Sequence, residues 1–220
     1  MNRTVRKYLS ILFQLAIMVA APFFLIIRGS VYLYEYHHWY HWLAILLMFL
    51  LAFGVVLIYL VMIWSWLTGI KTPSRKNLKT KAWIAAGLLA VYGGYTLVNL
   101  SGSNAKTEKV RKEFSSLHPL LRMSVGTLLM LDSSVLITDM SRVKEDYKTM
   151  GLKEAKNSLH YKQKDGYVHA MDLRTKGHGF LRNKLLQGYF ILMGFNTLRH
   201  YGTADHLHVS LTAREKPGVI

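Results

Sequence analysis

Three stretches without a single charged residue, 8–27, 42–67 and 82–100, constrain this 220-residue chain more than any other feature. A run of about 18 or more mostly apolar residues can cross a bilayer as a helix, which satisfies every backbone polar group within the segment. Three such runs predict a multi-pass membrane protein whose first partner is the lipid bilayer. The first run is long for a signal peptide, its small residues Ala20 and Ala21 sit inside the apolar stretch, and further spans follow. A retained anchor is therefore expected. The absence of charge in all three argues against an ion or proton path through them, as in a transporter subunit.

Flanking charge predicts the orientation. Arg3, Arg6 and Lys7 precede the first span, and Lys71, Arg75, Lys76, Lys79 and Lys81 lie between the second and third. The loop between the first two spans has only Arg28 and Glu35. By the positive-inside rule the N-terminus and second loop face the cytoplasm, which places everything after residue 100 outside. The first loop, Tyr32 to Trp42, is crowded with aromatics and histidines. His37 and His41 would share a helix face and invite a metal reading, but an interfacial aromatic belt explains the segment more simply. Gly87, Gly93 and Gly94 in the third span permit close helix packing.

This divides the chain into a three-helix anchor (1–100), a polar linker (101–113) that lifts the next part off the lipid, and a soluble domain (114–220). Within the domain, spacing predicts helices over 119–131, 142–150 and 180–193. Strands are predicted over 135–138, 167–173, 195–201 and 206–211. Helices and short strands mix without βαβ alternation, so the expected class is a membrane-anchored α+β protein with a small antiparallel sheet. The absence of cysteine excludes disulfides and thiolate metal sites and fits an oxidising compartment. The chain carries a formal net charge of +16, divided equally between residues 1–100 and the remainder. A basic outer domain favours anionic wall polymers or lipid headgroups. Nucleic acid is not expected as a partner, given the outward topology and the absence of a recognisable nucleic-acid motif.

The chemistry concentrates in a few short segments. In Asp205-His206-Leu207-His208-Val209-Ser210-Leu211, strand alternation puts His206, His208 and Ser210 on one face. Upstream lie Thr138-Asp139-Met140-Ser141-Arg142, Ser158-Leu159-His160 and Ala170-Met171-Asp172-Leu173. In this order they resemble the zinc D-alanyl-D-alanine carboxypeptidase/endopeptidase family, part of a fold group that includes lysostaphin-type endopeptidases and the hedgehog signalling domain. The resemblance covers residues 115–212. It implies that His160, Asp172 and His208 bind Zn2+, that Asp205 is the general base, and that Arg142 holds a substrate carboxylate or oxyanion. It also implies that His206 supports the transition state. The implied activity is hydrolysis of D-amino-acid bonds in peptidoglycan stem peptides, outside the cytoplasmic membrane of a bacterium. The alternative is a non-catalytic metal- or wall-peptide-binding module coupled to a membrane partner.

One spacing departs from the family. Eleven residues, Tyr161 to Met171, separate His160 from Asp172, where relatives have six, and Val168 stands at the family's glycine position. This leaves His169 as a rival ligand to His160. Strand geometry favours His160, because residues three apart on a strand point to opposite faces unless a bulge intervenes. Asp139 is expected to cap the helix near Arg142. His118, His178 and His200 show no partner pattern and read as structural or surface residues.

Overall fold

The structure, a computed structural model, describes residues 3–69, 74–149, 151, 153, 157–202 and 204–211. Lys71 of the basic loop and Thr203 of the last turn lie outside the described residues. The class is α+β: mostly helix, with three long apolar helices and one four-stranded antiparallel sheet. The long helices are α1 (Arg3–His37), α2 (His41–Thr68) and α3 (Arg75–Val98). All three are long and apolar enough to cross a membrane.

The first helix does not stop at the edge of its uncharged run. At 1.5 Å per residue, its 35 residues reach roughly 50 Å, against about 30 Å for a hydrocarbon core. The segment expected as a loop is thus mostly helical. Only His38–Tyr40 turns the chain, with His38 in the left-handed region at φ 58°.

The domain is built from α4 (Glu108–Lys112), α5 (Pro119–Leu131), β1 (Ile137–Asp139), α6 (Lys144–Thr149), β2 (Ala170–Arg174), α7 (Phe180–Met193), β3 (Asn196–His200) and β4 (His206–Ser210). The strand order is β1-β2-β4-β3. His118 opens α5: its Nδ1 accepts the Leu120 N–H, and Pro119 fills the first turn, where its missing N–H costs nothing. α5 is buried on every side from Pro119 to Leu129. Such a helix must lie between two apolar layers. It contacts the adjoining ends of α1, α2 and α3 and shares one apolar core with the sheet.

Residues 101–113 do not act as a tether. Asn104 Nδ2 donates to the carbonyls of Ser133 (2.7 Å) and Val135 (2.9 Å), Lys106 N–H donates to the Ile137 carbonyl, and Val110 is buried. The domain sits directly on the helix bundle. Arg122 donates to the Leu97 carbonyl at the end of α3 (2.8 Å), and Tyr92 and Thr127 share a 2.7 Å hydrogen bond. A single apolar core runs from Ile26, Val31, Ala52 and Leu89 through Leu121 and Phe190 to Leu207 and Val209.

The closest approach of a glycine to another element's backbone is at Gly126, where an added Cβ would lie 2.8 Å from the Thr96 Cα. Gly126→Ala should therefore lower stability by about 1–3 kcal/mol through overpacking against backbone. Gly188→Ala, at a helical position with nothing within 4 Å, should raise stability by up to about 1 kcal/mol through helix propensity. Thermal unfolding of the full chain in detergent, comparing both variants with wild type, checks the contrast.

Candidate metal centre

Strand pairing assembles the first two groups. In the β2–β4 ladder Asp172 lies opposite His208, and alternation points both to the same face. The other face carries Met171, Leu173, Leu207 and Val209, all fully buried in the core. The sheet thus separates an apolar side toward the helices from a polar side away from them.

His160 reaches the polar side from the segment before β2. Its backbone is fixed at three points: its N–H donates to Ser158 Oγ, its carbonyl accepts the Arg142 N–H, and the neighbouring Leu159 carbonyl accepts the His169 N–H. Its ring Nδ1 lies 2.6 Å from the Met140 carbonyl. A carbonyl can only accept, so Nδ1 carries the proton and Nε2 presents a lone pair to the site.

The donor separations decide what the trio can do. His160 Nε2 is 3.3 Å from His208 Nδ1 and 3.4 Å from Asp172 Oδ1, and His208 Nδ1 is 2.9 Å from Asp172 Oδ1. Zinc bonds of about 2.0–2.1 Å in a tetrahedron put neighbouring ligands roughly 3.3 Å apart. The three groups therefore fit a divalent ion with little movement. Burial alone would push the Asp172 carboxyl up. The adjoining imidazoles of His160 and His208 outweigh burial and hold it well below the usual carboxylate range.

Arg142 stands behind this carboxylate. Its Nη2 donates to Asp172 Oδ2 (2.7 Å) and its Nε to Asp139 Oδ2 (2.6 Å), with the guanidinium over the Tyr147 ring. Arg142 thus orients a ligand, and Asp139 orients Arg142. The expected helix-capping role of Asp139 falls instead to Asp146, which accepts the Val143 N–H.

His206 also joins the polar side. Its Nδ1 lies 2.6 Å from the Ala204 carbonyl, so Nε2 is again the unprotonated atom, 3.8 Å from Asp172 Oδ2. His200, read from sequence as structural, stacks on His206 with ring centroids 4.7 Å apart. The hairpin register places them directly opposite one another. Pairing the two predicted final strands across their turn would have found it. The His200 pKa is lowered by burial first and then by its His206 and His208 neighbours.

Asp205 does not converge on these groups. Arg199 Nε and Nη2 donate to its two oxygens at 3.0 and 2.7 Å, and Thr175 Oγ1 donates to Oδ1 at 2.7 Å. Arg199 pairs with Leu207, on the face opposite His206 and His208. The Arg199 hydrogen bond, opposed by burial and helped by Thr175, lowers the Asp205 pKa. A carboxylate so held is a weak proton acceptor near neutral pH, so the geometry runs against the expected general-base role.

His169 lies elsewhere. It stands in a second group with buried His41 and His118 and with the exposed Asp165, beside Tyr34 and Tyr167. His169 Nε2 is 2.8 Å from Asp165 Oδ2. His118 Nδ1 accepts the Leu120 N–H, which leaves its Nε2 facing the same oxygen at 3.7 Å, beyond hydrogen-bond distance. The long spacer explains the group: residues 162–168 form a turned excursion closed by the Lys162–Val168 bridge, and this carries Asp165 to the histidines. His41, 2% exposed, is packed against the domain rather than placed in an interfacial belt.

No family model, curated protein or solved structure matches the chain.

Two outcomes follow from this geometry. Arg142→Gln should weaken metal binding by about 10–100-fold, the usual effect of losing a group that orients a ligand; competition with a fluorescent zinc chelator reads it. Asp205→Asn should leave metal affinity unchanged and cost about 1 kcal/mol of stability at pH 7. Because the folded pKa of Asp205 is depressed, its contribution is present above the unfolded value of about 3.9 and is lost as pH falls through the folded value. The gap in unfolding midpoint between wild type and variant should therefore close on acidification below about pH 4.

Proposed function

We propose that the chain is a membrane-anchored zinc peptidase that hydrolyses D-amino-acid-containing peptide bonds of peptidoglycan stem peptides on the outer side of a bacterial cytoplasmic membrane. The observation that carries this reading is the trio His160, Asp172 and His208. Its donors stand at tetrahedral spacing, and the proton of His160 is committed to Met140. Two imidazoles and one carboxylate leave a fourth position open, as hydrolytic zinc sites require. Zinc held there would supply a Lewis acid and a water with a pKa near 7.

The chain's own groups then have distinct tasks. Arg142 fixes Asp172 and places positive charge beside the oxygen-rich side of the site. His206 Nε2 is the free basic atom that takes a proton from the attacking water and returns it to the leaving amine. His200, stacked behind it, limits its rotation. The apolar spans hold the domain at the lipid surface.

A second reading, a metal- or wall-peptide-binding module without turnover, is favoured by one observation. Asp205 and Arg142, two of the three groups given catalytic roles in the sequence reading, are both tied to protein partners. The deciding experiment uses the full chain in nanodiscs and a stem peptide ending in D-Ala-D-Ala. Wild type should bind one zinc and cleave the peptide. His206→Gln should keep the zinc and lose about 10²–10⁴-fold in rate, while Asp172→Ala should lose both. Zinc and peptide binding by wild type with no cleaved product would establish the binding module instead.

A further inference from the structure

Helix α7 is inside out for a helix in water. Its outward stripe is Phe180, Leu181, Lys184, Leu185, Gly188, Ile191 and Leu192, and the five large apolar side chains are between 57% and 76% exposed. The spacing places these residues on one continuous face. The opposite face, with Leu186, Phe190 and Met193, is buried in the core, together with Asn183. A helix bordering water puts charge on its outer side; this one presents a single lysine among five large apolar groups.

Its position says what covers that face. Gly194, at the C-terminal end of α7, seats directly against the Arg28 guanidinium and Val31 of α1. Arg28 is the first charge after the uncharged run 8–27, so it marks where α1 leaves the hydrocarbon. α5 runs beside α7, joined by the Tyr189 hydroxyl donating to the Ser124 carbonyl and by Arg182 on Asp132. α5 crosses the bundle end at the level of Thr96, and its last residues, Met130 and Leu131, are exposed. The exposed apolar surface of α3, from Leu88 through Val91 to Val98, lies at the same end. The α7 stripe thus begins beside α1 at the same end of the bundle.

We propose that α7 lies in the outer interface of the bilayer, with its Phe180–Leu192 face immersed at the boundary between headgroups and acyl chains. The inference rests on reading α1, α2 and α3 as membrane spans. Lys184, whose ammonium lies over the Phe180 ring, reaches from the immersed face to the phosphates along its apolar stem. The domain then has a lipid-facing floor of its own and does not merely follow the spans.

The absence of cysteine permits a clean test. Single cysteines at Leu181, Leu185 and Leu192 in the full chain are spin-labelled in phosphatidylglycerol–phosphatidylethanolamine vesicles. Collision with oxygen, which partitions into lipid, is compared with collision with a water-soluble nickel chelate. Leu88→Cys on α3 is the lipid reference and Lys148→Cys on α6 the water reference. The expected oxygen-to-nickel ratio at all three α7 positions is several-fold above that at Lys148 and close to that at Leu88. A ratio equal to that at Lys148 overturns the proposal in favour of open water. Poor collision with both reagents, with spin–spin broadening between copies, overturns it in favour of a second copy of the chain. Water-like behaviour at Leu88 itself would instead remove the membrane-span reading on which the inference rests.

Discussion

The polar side of the sheet is organised around one buried carboxylate. Asp172 is 3% exposed, and an ionised group taken out of water at that depth persists only with charged or hydrogen-bonding partners. Each neighbouring element supplies one. β4 brings His208, the segment before β2 brings His160, and the stretch after β1 brings Arg142, which Asp139 holds in turn. Removing Asp172 would strand two imidazoles and a guanidinium in the same small volume. The convergence that suits a metal ion is thus also the convergence that the apo protein needs for its own electrostatics.

The alternation of the strands converts this local demand into a layered molecule. Odd-numbered positions of β2 and β4 face the helices and are apolar; even-numbered positions face away and carry Asp172, His206 and His208. Helices α5 and α7 contribute to the core that joins the apolar face of the sheet to the long helices. The same core includes both Leu207 and Val31, so the long helices and the domain share one interior.

Much of this was legible in local pattern. The three apolar runs, the helix over 180–193 with its terminal glycine, the histidines on one strand face and the preference for His160 over His169 all follow from periodicity. What was not legible depends on contacts distant in sequence. Asn104 reads as linker because its partners, the carbonyls of residues 133 and 135, are about thirty positions away. His41 reads as an interfacial aromatic because nothing local announces His118 or Tyr167. Asp205 reads as a base from its place in a motif, whereas Arg199 across the hairpin claims both its oxygens. His200 was within reach, since the register of a short hairpin fixes which side chains face each other.

The packed state of residues 101–113 has a mechanical consequence. A domain on a slack tether searches a hemisphere and can meet its target at any angle. This one is bolted to its base through Arg122 on the Leu97 carbonyl and Tyr92 on Thr127, with its histidines on the face of the sheet away from the apolar core. With the long helices set in a bilayer, its reach would be a fixed altitude, and selection by position would precede selection by chemistry.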